Sequence, residues 1–101
     1  MLAIRVALSD PGKASARARY LEDHRNYLRS GLLRIRQSGP ILDEVGDASG
    51  GIVVAEVGSL DEMRQFSAQD PFVIHGVYAD VSIYQWTPTI KDAGSVDAAT
   101  A

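Results

Sequence analysis

Four segments of this chain alternate apolar residues with others at a period of two, and two helix-like stretches separate the first from the second and the third from the fourth. In the first segment Leu2, Ile4, Val6 and Leu8 alternate with Ala3, Arg5 and Ala7, which predicts a strand with the former set buried and the latter on a face able to hold a charge. Ser9-Asp10-Pro11-Gly12 breaks the pattern. Lys13 to Ser30 then contains no proline or glycine, which predicts a long helix closed by Gly31, with an apolar stripe through Ala14, Ala18, Leu21 and Leu28. Leu32 to Ser38 alternates again, Leu33 and Ile35 against Arg34 and Arg36, and stops at Gly39-Pro40. Asp43 to Gly51 has no periodicity and reads as a solvated hairpin loop between this strand and a third over Ile52 to Val57. Ser59-Leu60-Asp61-Glu62 has capping-box spacing and starts a second helix, which ends near Gln69 because Pro71 forces Asp70 out of helical geometry. Pro71 to His75 reads as one further short turn of helix. Val77 to Trp86 supplies the fourth strand.

The order β-α-β-β-α-β predicts an α+β, ferredoxin-like fold, an antiparallel sheet with two helices on one face. Arg5, Arg34, Arg36, Tyr84 and Trp86 are expected on the other face. Aromatics beside cations make poor permanent surface, so a second copy is expected to cover them, giving a homodimer through the open sheet face. At 101 residues the chain is one domain, read as residues 1–88 followed by a flexible tail over residues 89–101.

Composition removes whole classes of function. There is no cysteine, so disulfides, thiolate chemistry and cysteine-built metal sites are excluded. Ten basic against thirteen acidic residues give a net charge of −3, a global field that repels phosphate backbones and argues against nucleic acid as a partner. No apolar run approaches the roughly 18 residues of a membrane span, and the N-terminus does not read as a signal peptide, so a cytoplasmic location and no membrane partner are expected. Walker loops, G-x-G-x-x-G runs and G-x-S-x-G elbows are missing.

What remains is a small set of polar residues with chemical potential. His24 falls on the sheet-facing side of the first helix, flanked by Tyr20 and Tyr27; it reads either as a core histidine satisfied by one hydrogen bond or as a base. Asp70, in Asp70-Pro71-Phe72, fits an N-cap before a short turn of helix and equally a carboxylate that orients an imidazole. Ser38-Gly39-Pro40 reads as a bend, or as a place where a ligand approaches and a hydroxyl or amide donates to an anionic oxygen. Arg5, Arg34 and Arg36 suit bidentate binding of a substrate carboxylate or phenolate, or read as solvated side chains or intersubunit ion pairs. A metal site would need His24, His75 and Asp70 to converge without any local ligand spacing, so no metal and no cofactor are expected.

Taken together, His24-Arg25-Asn26-Tyr27-Leu28, Gly31, Ser38-Gly39-Pro40, Asp70-Pro71-Phe72, Gly76 and the aromatic Trp86 at the end of the last strand resemble the YciI-like (YCII-related domain) family over about residues 2 to 88. Arg25 departs from the leucine common after the histidine. The resemblance implies a dimeric α+β barrel of ferredoxin-like protomers. It implies His24 and Asp70 as the active pair and cofactor-free lyase, dehydrochlorinase or isomerase chemistry on a small aromatic or unsaturated acid; Ser38, Gly39, Pro40, Arg34, Arg36 and Phe72 are the candidates to surround a small-molecule ligand. The alternative is a non-catalytic dimeric module that binds a small anionic metabolite or regulates a partner enzyme.

Overall fold

Each alternating segment forms a strand, and hydrogen-bond register decides which of its faces meets the helices. The computed structural model describes residues 1–91; the expected tail lies outside the described residues from residue 92 on. The elements run β1 (Leu2–Ser9), a 3-10 turn (Pro11–Lys13), α1 (Ala14–Leu28), β2 (Arg34–Leu42), β3 (Ala48–Glu56), α2 (Leu60–Ala68), α3 (Pro71–Ile74) and β4 (Tyr78–Trp86). One sheet in the order β2-β3-β1-β4, antiparallel throughout, carries the helices on one face. This is the ferredoxin-like α+β fold.

The face assignment of β1 is the reverse of the expectation. Ala3, Arg5 and Ala7 lie beneath the helices, none more than 1% exposed, whereas Leu2, Ile4 and Val6 are half-buried and Leu8 is exposed on the open face. Both residue sets of this strand are largely apolar, so alternation alone does not say which side the helices take. Packing does: the alanines take up little room, and the space between them holds one long side chain. Arg5 thus leaves the open face expected for it and stands between two buried clusters. One contains Ala3, Val53, Ala55, Met63 and Phe66, the other Ala7, Phe72, Val77 and Tyr78.

Tyr78 is buried for a related reason. The β1–β4 register pairs Leu8 with Asp80 but Ser9 with Tyr78, and the bulge turns Tyr78 toward the helices. On α1 the inward residues are Ala16, Arg17, Tyr20, Leu21, His24, Tyr27 and Leu28, while Ala14 and Ala18 are exposed. Ser59 caps α2 by accepting from the Glu62 amide at 3.3 Å, and the Glu62 carboxylate returns to the Gly58 amide, one residue before the position expected.

The hairpin loop is shorter than its composition suggests, because β2 continues through Gly39-Pro40 and β3 begins at Ala48. Pro40 is tolerated because β2 is an edge strand. The glycine pair in β3 belongs to close packing and not to the turn. A Cβ on Gly50 would stand 2.2 Å from the Ala7 carbonyl oxygen, and one on Gly51 would stand 2.9 Å from the Tyr78 hydroxyl. Gly50→Ala therefore forces two strands apart and is expected to cost about 1–3 kcal/mol. Gly39→Ala, whose Cβ would meet nothing within 4 Å, serves as control. Urea midpoints check this, and equal midpoints for the two variants would contradict the packing argument.

Candidate active site

Asp70 is fixed at every polar atom before any ligand is considered. Pro71 holds it in extended geometry at the N-cap of α3. Its amide donates to the Ser67 carbonyl, and its own carbonyl accepts from Val73 and Ile74. Side-chain Oδ1 accepts from the Phe72 amide at 2.9 Å and lies 2.7 Å from His24 Nδ1. Oδ2 is 2.9 Å from Arg5 Nη1, an ion pair by distance without hydrogen-bond alignment. The carboxylate is wholly buried. The two sharp candidates from the sequence, 46 positions apart, are thus in direct contact.

The electrostatics determine the tautomer. Burial by itself pushes the Asp70 carboxyl up, but the hydrogen bond from His24 and the charge of Arg5, with smaller help from the His24 charge and the Phe72 amide, outweigh it and hold the group below its ordinary value. An ionised carboxylate only accepts. With Oδ1 accepting from both Phe72 and His24, the imidazole proton belongs on Nδ1, and the lone pair belongs on Nε2. Nε2 has no partner among the described residues and is not among the buried unpartnered atoms, so it keeps access to solvent. Phe72 stacks on the ring at 4.0 Å and Tyr78 meets it edge-on, which fixes its plane.

The surrounding groups are a second layer of support. Arg5 Nη1 also donates to Ser67 Oγ at 3.2 Å, its guanidinium lies 5.5 Å from the centre of the Tyr78 ring, and its Nε and Nη2 have no hydrogen-bond partner. Burial raises the Tyr78 phenol above its usual value; Arg5 opposes this and Asp70 adds to it. Arg17 donates to Ser9 Oγ and lies over Phe72. Tyr27 donates to the Phe66 carbonyl at 2.7 Å and packs on that ring, away from the imidazole.

His24 opens into a cleft of about 520 Å³ between α1 and the β2–β3 side of the sheet. Ser38, Gly39 and Pro40 form part of its far wall, Leu21, Leu28, Ile35 and Val53 supply apolar surface, and Arg5, Arg17, Arg25 and Arg29 supply charge. Phe72 stands behind the imidazole and does not line it. Arg34 and Arg36 are not brought to the cleft; both pair with Glu56, at 80% and 58% side-chain exposure. Glu56, the register partner of Arg34, lies opposite Leu2 and puts Arg34 on the open face, while Arg36 sits in a bulge between Ile35 and Gln37 and reaches the same carboxylate. His75 stacks on Tyr20 at 3.6 Å and does not join Asp70. Among the described residues no group of three or more His, Asp or Glu side chains is placed to hold a metal.

The sequence offers Arg5 only as an anion binder on the open face, not as the buried partner of Asp70, and does not single out Arg17 or Tyr78. An arginine between two alanines on a strand is the one available signal for Arg5, since small neighbours leave room for a long side chain. Nothing in the local pattern announces the bulge that turns Tyr78 inward.

A family model of the YCII-related domain matches residues 1–87. The chain belongs to the YCII-related domain family. Among solved structures it is similar to 5-chloro-2-hydroxyhydroquinone dehydrochlorinase (TftG) from Burkholderia phenoliruptrix AC1100, determined in complex with 2,5-dihydroxybenzoquinone. That match has a TM-score of 0.80 and 27% identity over 86% of this chain and 94% of that one. The protein Atu4242 from Agrobacterium tumefaciens (TM-score 0.51, 16% identity, 87% and 92% covered) and a NIPSNAP-like domain protein from Burkholderia xenovorans (0.52, 14%, 87% and 84%) share the fold with this YCII chain. No curated protein sequence matches it. No helix among the described residues is long and apolar enough to cross a membrane.

The position of Asp70 yields a pH prediction. Its carboxyl is depressed in the fold, so ionisation favours the folded state; this contribution is complete above about pH 4 and is lost as the pH falls through the folded-state value. Asp70→Asn removes it, and stranding Arg5 should cost about 3–5 kcal/mol at neutral pH. The stability gap between wild type and variant, from urea titrations, should narrow as the pH drops below about 4. A gap that stays constant would contradict the ion-pair assignment.

Proposed function

We propose that this YCII-family protein is a cofactor-independent enzyme in which His24 acts as general base and acid on a small, acidic, aromatic or unsaturated substrate. The observation that carries the reading is the 2.7 Å contact of His24 Nδ1 with an Asp70 oxygen already committed to the Phe72 amide. That arrangement supports a basic Nε2 facing an apolar cleft with positive charge around it. Asp70 orients the ring and stabilises the imidazolium that forms, and the hydrogen bond from His24 together with the charge of Arg5 keeps Asp70 ionised. The Ser38 hydroxyl or the Gly39 amide is the proposed donor to a developing oxyanion on the far wall.

Similarity to a dehydrochlorinase favours elimination. On a halogenated hydroxyhydroquinone, Nε2 takes a ring hydroxyl proton and returns it to the halogen-bearing carbon as the ring ketonises. A second deprotonation then expels halide. The sum is loss of one proton and one halide, leaving a hydroxyquinone with no oxidant or reductant consumed. A tautomerisation would use the first half alone.

The open face bears Leu2, Ile4, Val6, Ile52, Tyr84 and Trp86, the last three 37%, 57% and 39% exposed. This supports a second copy packed there, as the family resemblance implies. The test is turnover of a panel of chlorinated and unchlorinated hydroxyhydroquinones and their carboxylated analogues, followed by quinone absorbance and halide release. We expect activity on at least one member and a loss of about 10²–10⁴-fold in His24→Asn, at unchanged circular dichroism. Turnover of none, or a folded variant with full activity, would overturn the reading and leave an anion-binding module. In the same preparations light scattering should read two chains per particle; a one-chain mass would remove the dimer.

A further inference from the structure

The charge on the cleft is far from what the whole chain would supply. With thirteen acidic and ten basic residues the net charge is −3, yet among the described residues four arginines line the cleft and no Asp or Glu does. Two of the four have structural employment: Arg5 is tied to Asp70 and Ser67, and Arg17 to Ser9 and the face of Phe72. Among the described residues Arg25 and Arg29 have no such side-chain partner. Neither has a carboxylate within ion-pair distance among the described residues. They stand one turn apart at the end of α1, about 6 Å along the axis, a like-charge spacing that weakens a helix slightly. The negative end of the helix dipole compensates part of that, but it does not explain why both line the hollow into which the imidazole opens.

We propose that Arg25 and Arg29 form a carboxylate-binding subsite that selects ring or enol substrates bearing a carboxylate over neutral hydroquinones. A planar guanidinium matches a carboxylate in bidentate fashion, and two of them at one mouth suit an anion held at a distance from the atom that reacts. The ionisable hydroxyl then lies at His24, the ring lies along Leu21, Leu28 and Val53, and the carboxylate remains at the more solvated end. The inference rests on the catalytic reading of the same cleft and deepens it by naming the substrate's second polar group.

Calorimetry with 2,5-dihydroxybenzoate and hydroquinone, probes that differ by one carboxylate, tests the subsite directly. Wild type should bind the acid at least about tenfold tighter, the preference falling with added salt, as expected for a charge-assisted contact. In Arg25→Gln/Arg29→Gln, two exposed changes that should not disturb folding, the preference should drop to about twofold or less. His24→Asn should retain it. Equal affinity for the two probes, no measurable binding of the acid, or a preference undiminished in the double variant would overturn the proposal. Because the readout is binding, the two ideas fail separately. A protein that prefers the acid but turns nothing over keeps the subsite and loses the enzyme; one that turns over neutral hydroquinones without preferring the acid keeps the enzyme and loses the subsite.

Discussion

A carboxylate with no solvent contact, held between a guanidinium and an imidazole, is the constraint around which the protein is arranged. Asp70 is wholly buried and Arg5 is 1% exposed, and burying such a pair is weak as a source of stability because desolvation offsets most of the attraction. A hydrophobic pair of similar volume would fold as well or better. What the pair supplies is definition. It keeps Asp70 ionised, an ionised Asp70 determines which nitrogen of His24 carries the proton, and that nitrogen's partner faces the cleft. The polar chain crosses the core between its two apolar clusters, at the place where β1 offers alanines on either side of Arg5.

Topology was legible in the chain, because alternation, breakers and the Ser59 cap each act over a few residues and each survived folding. The contact of His24 with Asp70 was legible only as a possibility, since it depends on α1 and the α2–α3 junction meeting over the sheet. The inner face of β1 was not legible. Hydrophobicity favours Leu2, Ile4 and Val6 as core, whereas close helix packing and the length of an arginine side chain favour Ala3, Arg5 and Ala7, and the second consideration prevails. Gly50 and Gly51 misled for a similar reason: glycine marks both turns and close backbone approach, and only the neighbouring strand distinguishes them. Arg34 and Arg36 alternate as a strand should, but alternation says nothing of Glu56, which engages both.

Membership of the YCII-related domain family and similarity to a dehydrochlorinase support lyase-type chemistry, and the proposed role of His24 builds on that. The cleft brings together an imidazole bonded to an ionised carboxylate, polar residues on the opposite wall and apolar surface, which is what that proposal uses. Its excess of arginine includes Arg25 and Arg29 at the end of α1, beside the imidazole. In the proposed reading catalysis and selectivity reside on different turns of one helix, with His24 held from below by Asp70 and the arginines reaching from its last turn.

The account depends most directly on where the imidazole proton resides. Nitrogen-15 NMR of the His24 ring, recorded at a pH where the ring is neutral, reads this without a substrate. The expected result is a pyrrole-like Nδ1, protonated and bonded to Asp70, and a pyridine-like Nε2. A pyridine-like Nδ1 with the proton on Nε2 would contradict it, since the nitrogen facing the cleft would then have no lone pair to offer.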